Sequence, residues 1–437
     1  MKTRFVILVC FISIAQISLA SDWREFRGPN GNGVSSQTGL PLHWNETKNI
    51  KWRCAVPGKG YSSPVVANGK VWLTTAVEHE ATDQQRDEIL KDVEVKKRKQ
   101  RAVAGKIELK AICVDLKMGQ LERTISLTDL VNPDPIHKFN SFSSPTPCID
   151  GDRIYCHFGT YGTWCISTTT GKVLWHRRFA LVHNVGPGSS PIIHNDLLVL
   201  VCDGVDVQYV IALNRMDGRT VWKTDRPPMR APSGDQKKAY STPLVIDHEG
   251  KTQLVIPTSQ WIVSYVPETG EEIWRADHGK GFSLVPRPVF GHGMVYFFTG
   301  FGKPELWAVR VDGKGDVSRT HVAWKVTRST SSKPSPLLVG DEVYVLADLG
   351  IVSCIDAKTG DVHWRERVKG SYSSSPVFAD GKIFICNQDG RTTVLQPERE
   401  FKVLAENDLD SALMASPAIV DGSILLRTQT SLYRVGE

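Results

Sequence analysis

The 437-residue sequence predicts an all-β fold: an eight-bladed β-propeller of four-stranded antiparallel blades, its ring closed by a strand from the N-terminal region. Three observations lead there. A Ser-Ser-Pro-like phrase running into a hairpin turn recurs eight times. A second phrase, with a Thr-Gly-type turn and a tryptophan four residues beyond the turn glycine, follows in most copies. The last copy stops before its tryptophan strand, while a strand of that kind stands unattached ahead of the first copy.

The first phrase reads SSPVVANGKVWL at 62–73 and SSPTPCIDGDRIYC at 143–156, then SSPIIHNDLLVLVC, STPLVIDHEG, RPVFGHGMVYFF, SPLLVGDEVYVL, SSPVFADGKIFIC and SPAIVDGSILL. Its aligned prolines are Pro64, Pro145, Pro191, Pro243, Pro288, Pro336, Pro376 and Pro417. Each phrase supplies two apolar runs joined by a two-residue turn, the mark of a hairpin. The second phrase, as in CISTTTGKVLWHRRF and CIDAKTGDVHWRER, supplies two more. Trp175, Trp222, Trp274 and Trp364 share its tryptophan slot, and Trp324 holds the same place after a longer turn. Four strands every ~40–45 residues make a propeller blade, and a large rigid indole suits the seam between blades. NIKWRCAVPG (49–58) carries Trp52 in the same form and is expected to become the outermost strand of blade eight.

Ahead of the ring, residues 1–20 read as a secretory signal. They have a basic start at Lys2 and Arg4, an apolar stretch, and Ser18 and Ala20 placed for cleavage after Ala20. The apolar run is too short and too interrupted by Gln16 to favour a membrane span. Residues 21–48 form an arm containing DWREFRGPNGNGVS. Its glycines have neither a preceding strand nor a following helix, which excludes a phosphate loop, and PNGNG offers no carboxylate to calcium. The arm is expected to turn against the propeller wall, with Trp23 and Phe26 as anchors and Arg24 and Arg27 at the surface. The ring occupies 49–437. An insertion at 77–110 lengthens blade one, with Ile89, Leu90 and Val93 as a thin apolar stripe; it reads either as a short charged helix or hairpin leaning over the channel mouth or as a flexible protrusion.

Formal charge is +6, and +4 once Lys2 and Arg4 are removed, too mild to point to nucleic acid. The run KKRKQR at 96–101 reads as a solvated face. Eight cysteines follow the signal. Cys113, Cys165 and Cys354 occupy one repeat register, where Ala212 and Ser264 sit in other blades, so buried free thiols are expected; Cys148 and Cys156, flanking one hairpin, are the pair to test. The histidines lack zinc spacing. The serines recur with the repeat and sit in no nucleophile elbow, which assigns them to hydrogen bonding where each inner strand begins.

The phrases SSPVV..GKV and D.KTG.V.W resemble those of the quinoprotein-like eight-bladed propellers, a superfamily with PQQ-like repeats. It includes the quinone-dependent alcohol dehydrogenases and the BamB-like subunit of the outer-membrane barrel assembly machinery. DWREFRGPNGNGVS followed by TGLP, IKW and SSPVV looks like the exported propellers common in planctomycete-type bacteria. In dehydrogenase members, the resemblance would imply a quinone with calcium, held by adjacent cysteines, a stacked Trp, and Asp, Glu and Asn. This sequence has no adjacent cysteines, no matching carboxylate set and no CxxCH haem motif. No cofactor, no metal and no catalytic residue is therefore expected.

Loops between blades surround the channel mouth. They carry Tyr61, Phe142 and Tyr240 three residues before the repeat proline, with Tyr372 and Phe282 nearby, and Lys59, Lys138, Arg287, Lys333 and Lys369. An aromatic, electropositive mouth suits an acidic ligand, either a cell-envelope protein or an anionic polysaccharide. The reading is an exported, periplasmic or secreted, monomeric binding scaffold. The alternative is an enzyme, a PQQ-dependent dehydrogenase-like or polysaccharide-acting propeller.

Overall fold

The computed structural model describes residues 22–437; the signal segment expected at 1–20 lies outside the described residues. Eight antiparallel sheets follow one another along the chain, each ordered from an innermost first strand to an outermost fourth. Blade one comprises Val65–Ala67, Lys70–His79, Lys106–Asp115 and Leu121–Val131, and blade six Leu337–Val339, Glu342–Leu346, Ile351–Asp356 and Val362–Arg367. In blade eight, Ala418–Val420, Ser423–Arg427 and Ser431–Val435 are completed by Ile50–Ala55, as the sequence predicts. Ile50 pairs with Val435 and Trp52 with Arg434, so the two ends of the ring share one sheet and leave no open edge there. Blade four departs from the four-strand pattern. The long turn of blade five lays Gly315–Asp316 parallel to Glu272–Asp277 as a fifth strand.

The repeated tryptophan seals six of the eight seams, the outer strands of blades one and seven carrying none. Indole Nε1–H of Trp52 donates to Leu116 O, of Trp175 to Arg215 O, of Trp222 to Pro267 O, of Trp324 to Ala357 O and of Trp364 to Glu398 O, all in the turn after the third strand of the following blade. The rings of Trp52, Trp175, Trp222 and Trp324 lie against Gly119, Gly218, Gly270 and Gly360, where a Cβ would collide and φ is positive. That contact is why the turn glycine and the tryptophan recur together. Trp274 reaches blade five indirectly: it donates to Gln253 Oε1, and Gln253 Nε2 donates to Val311 O. Opposite five of the six indoles, on the third strand, stands a small residue: Cys165, Ala212, Ser264, Ala308 and Cys354 face Trp175, Trp222, Trp274, Trp324 and Trp364, whereas Trp52 faces Arg434. All eight cysteines of the described residues are buried free thiols. Cys148 and Cys156 cannot bond, because Cys148 pairs with Tyr155 and Cys156 points from the opposite face, into the other seam.

Around the inner rim, the residue ahead of each first-strand proline forms a belt. Backbone N–H groups of Ser63, Thr146, Ser190, Arg287, Ser335, Ser375 and Ser416 donate to the hydroxyls of Thr146, Ser190, Thr242, Ser335, Ser375, Ser416 and Ser63 at 2.9–3.1 Å. The serines have the role their recurrence implied. The belt also corrects one alignment. In SSPTPC the repeat proline is Pro147, not Pro145, since Thr146 stands in the belt and Cys148 opens the strand.

The arm runs differently from its expected course along the wall. Trp23 exchanges two backbone bonds with Val66 of blade one, and Arg24 O accepts from Ile149 N of blade two. Arg287 of blade five donates to Glu25 Oε1 and Phe26 O, and Arg27 donates to Pro336 O of blade six. Gly33 O and Ser35 N then meet Phe378 of blade seven. A segment bonded to the inner strands of blades one, two, five, six and seven crosses the axis of the ring. Trp23 is buried as expected and Phe26 half-buried, and Arg24 is exposed, but Arg27 is fully buried rather than at the surface. Its guanidinium is drawn inward by carbonyls of the inner strands. Further along, Leu40 N and Gly422 N bond to Asp380 and Gln37, placing the arm's exit at the first-to-second-strand turns. The plug thus fills the ring from the face opposite the inter-blade loops.

Candidate functional site: the channel mouth

With one end of the axis occupied by the arm, the loop face at the other end is the surface open for recognition. Its expected residues divide. Phe142, Tyr240 and Tyr372 are buried in the wall: Phe142 lies 6.0 Å from Tyr161, Tyr240 donates to His183 O at 2.6 Å, and Tyr372 donates to Lys369 O at 2.9 Å. Arg287 is also buried, on the arm. None of the four faces the mouth: the three aromatic rings are packed in the wall, and the Arg287 side chain is turned onto the arm. Lys138 and Lys369 are exposed, and Lys59, Tyr61, Phe282 and Lys333 half-buried. Lys59 Nζ stands 5.8 Å from the Tyr61 ring, and Lys138 Nζ 5.5 Å from that of Phe139.

The insertion adds what the mouth loops lack. The second and third strands of blade one run ten residues each, carrying it beyond the blade. Helix Asp83–Leu90 begins on Thr82, whose hydroxyl accepts from Gln85 N while Gln85 Oε1 accepts from Thr82 N. Arg101–Ala102 pairs with Ile136–His137 on the loop to blade two. From there Arg101 donates to Asn184 on the next loop, Asn184 to Asp235, and Lys238 Nζ to Asp235 Oδ1 at 2.5 Å. The insertion is thereby tied across the loops of blades two, three and four.

Charge converges at this point. Burial, and then the positive charges of Arg101, Lys138 and Lys333, push His137 below the usual histidine range. Burial raises Asp235, but Lys238, Asn184 and Lys97 outweigh it and hold the carboxyl ionised below its ordinary value. Lys97 and Arg101, from the run that reads as a solvated face, are therefore mouth residues. Among the acids here, Asp235 is spent on Lys238, and Asp348 accepts from the backbone N–H groups of Ser332 and Lys333. The same face exposes Phe139 (64 %), Phe301 (60 %) and Leu349 (70 %). Phe301 lies edge-on to Phe282 at 5.8 Å. No repeat register flags these three, and an isolated apolar residue in a loop carries little signal in one sequence. Chemically, the face offers cations interleaved with apolar side chains, Lys97 being ion-paired with Glu94 at 3.3 Å.

Among the described residues, no group of three or more His, Cys, Asp and Glu side chains is placed to hold a metal ion.

Comparison with known proteins agrees with this architecture. The family described as outer membrane protein assembly factor BamB matches residues 33–224 and 258–430. Curated relatives include outer membrane protein assembly factor BamB of Yersinia pestis, 24 % identical over 234 residues (51 % of this chain, 55 % of the relative). That of Burkholderia pseudomallei is 36 % identical over 95 residues (22 % and 24 %). The chain thus spans between about a quarter and about half the length of these relatives. Among solved structures, BamB from Moraxella catarrhalis superposes with a TM-score of 0.54 at 14 % identity, over 76 % of this chain and 90 % of that one. Quinohemoprotein alcohol dehydrogenase from Comamonas testosteroni gives 0.64 at 11 %, over 97 % and 82 %. At such identities the likeness is one of fold. The repeats, the closed eight-bladed ring and a family match over most of the chain lead to one conclusion: this protein belongs to the family of the outer membrane protein assembly factor BamB.

Proposed function

We propose that this protein is an exported, non-catalytic docking platform. Its mouth face receives an acidic, partly apolar segment of a cell-envelope protein. The observation that carries the reading is the convergence of Lys97, Arg101, Lys138 and Lys333 beside exposed Phe139, Phe301 and Leu349, on the face that the arm leaves free. Loop residues held by a rigid scaffold are where binding resides, and complementary charge speeds encounter while apolar anchors slow release. The relatives' description as assembly factors supports a partner in the envelope. No helix among the described residues is long and apolar enough to cross a membrane. The periplasmic or secreted location rests on the signal segment, and N-terminal sequencing of the protein from its host should begin at Ser21.

The test is capture from envelope extract by the intact protein, compared with a Lys138→Glu, Lys333→Glu, Lys369→Glu triple variant. Loss of a captured protein in the variant, and its release from the unaltered protein by salt, supports the reading. Capture indifferent to the triple reversal refutes it, and capture of an acidic glycan alone replaces the protein partner with a polysaccharide.

A further inference from the structure

The two seams whose outer strand lacks a tryptophan are filled in different ways. On blade seven the slot falls to Ala405, paired with Val394 as Trp364 is with Cys354. The ring there comes from another part of the chain: Trp44 of the arm is buried 6.3 Å from Phe384. Phe384 stands where Tyr155, Tyr296 and Tyr344 stand in their blades, each 5.7–6.2 Å from its own blade's indole. Asn407 holds the arm in place, accepting from Trp44 N at 2.8 Å and donating to Leu42 O at 3.1 Å. A tryptophan on a separate segment has thus taken the seat of the missing one.

On blade one the slot falls to Arg123, paired with Cys113. The arginine bridges the seam to blade two without filling it. Its Nη2 donates to Thr169 O at 2.7 Å, in the turn that an indole would reach. Beside it remains a cleft of about 250 Å³, lined by Trp72, Cys113 and Arg123 on one blade and Ile149, Thr168 and Thr169 on the other. An apolar cavity of about 150 Å³ takes up benzene, so this cleft has room for a two-ring side chain. Its walls are counterparts of the groups that meet the ring at other seams. Cys113 and Trp72 hold the positions of Cys165 and Tyr155 around Trp175. Thr168 stands three residues before the turn glycine Gly171, as the indole acceptors Leu116, Arg215, Pro267 and Ala357 stand before theirs. Yet Thr168 O accepts no hydrogen bond among the described residues.

We propose that the seam between blades one and two is a docking slot for a tryptophan side chain presented by a partner protein, seated as Trp44 is seated beside Phe384. The indole N–H donates to Thr168 O, and the ring lies against Trp72 and the Arg123 guanidinium, a cation–π contact added to the burial of a large apolar surface. Lys70 at the rim is already paired with Asp115 at 2.9 Å and Glu122 at 2.5 Å, which leaves Arg123 as the cation that meets the ring. Asn68 and Gly151 at the edge of the cleft belong to first-to-second-strand turns, so the slot lies on the face away from the mouth and does not depend on what docks there.

N-acetyltryptophanamide is the probe, with its ring-brominated form for crystallography. Soaked into crystals of the unaltered protein, the brominated form should give an anomalous-scattering peak in the cleft, with the ring nitrogen within hydrogen-bond reach of Thr168 O. In solution the probe should raise the melting temperature progressively with its concentration, and N-acetylphenylalaninamide, which has no ring N–H, should raise it less. Arg123→Trp fills the slot from within, so it should melt above the unaltered protein and lose the response to the probe. An empty cleft in the soaked crystal overturns the proposal, as does an unmoved melting temperature. So does an equal response to the two amides, or an equal response from Arg123→Trp. The crystal and the comparison of amides use only the unaltered chain and stand even where Arg123→Trp fails to fold.

Discussion

Replacing Arg287 by methionine keeps the length of the side chain and removes its charge, so it isolates what holds the arm in the ring. Three hydrogen bonds vanish, to Glu25 Oε1, Phe26 O and Pro243 O. The Glu25 carboxylate is then left inside without a partner, along with two buried carbonyls. Breaking a buried ion pair on one side destabilises by about 3–5 kcal/mol. Relief of the repulsion between Arg287 and Arg27 recovers part of this, which places the expected loss near ~3 kcal/mol. With an unfolding entropy of roughly 2.1 cal/mol/K per residue over roughly 400 residues, that loss lowers a cooperative melting midpoint by roughly 3–4 °C. A local readout distinguishes release of the arm from general weakening. The Phe378 amide, bonded to Gly33 O at 2.8 Å, should lose hydrogen-exchange protection before amides of the outer strands do. Arg287→Ser is the companion variant: it offers a hydroxyl where the belt lacks one, yet should also destabilise, because the arm still loses its anchor. A midpoint within 1 °C of the unaltered protein, combined with unchanged protection at Phe378, would refute the assignment of Arg287 as the lock.

Ser375→Ala removes the hydroxyl that accepts from Ser335 N at 3.0 Å and leaves a buried N–H bare; a loss of about 1–3 kcal/mol in urea unfolding is expected, and a neutral result would show that the belt contributes nothing. Burial lowers the pKa of His157 to about 3 and those of His183 and His278 to about 4. Each is thus depressed below its unfolded value of about 6.5, so the unfolded chain gains protons first and stability is lost as pH falls from about 6.5 toward 4, by about 2 kcal/mol per histidine at pH 5. Equal urea midpoints at pH 7 and 5 would contradict this. Trp52→Ala deletes the half-buried indole and its bond to Leu116 O at 2.8 Å; about 2 kcal/mol should be lost, with earliest proteolysis in the chain around Ile50–Ala55. First cleavage elsewhere would move the weak point away from the closing seam.

The ring was legible because its parts repeat, and a repeated phrase reports a repeated environment. Trp, turn Gly and the small residue opposite them recur since each indole needs the bare backbone of the next blade and room on its own sheet. SSPTPC has two prolines, which the phrase alone does not separate; the place of Thr146 in the belt and the pairing of Cys148 with Tyr155 decide for Pro147. The course of the arm was hidden for a different reason. Its partners at Val66, Ile149, Pro336 and Phe378 are main-chain atoms, which every residue possesses, so no side-chain pattern advertises them. Phe142, Tyr240 and Tyr372 show the same limit at the mouth. An aromatic residue before an inner strand is equally good in the wall or in solvent, and the neighbouring blade's shape decides. Arg101 joined the site through a strand pairing to Ile136–His137 that neither segment's composition signals.

The pairing of Ile50 with Val435 joins positions nearly 400 residues apart, and it has a consequence for how the molecule is assembled. As synthesis runs from the N-terminus, the arm and its strand emerge before the blades but find their partner strand last. Closing so long a loop is penalised only logarithmically, by roughly 5 kcal/mol, yet the penalty falls on a single late step. Until then the arm has no complete ring to fill, and blade eight has an unpaired edge. Sealing the circle and seating the plug are therefore one event, and strain that parts blade eight also frees the axis. A protein built this way should keep its arm protected from proteolysis for as long as its last blade holds, because a strand made before the blades is among the last to be fastened.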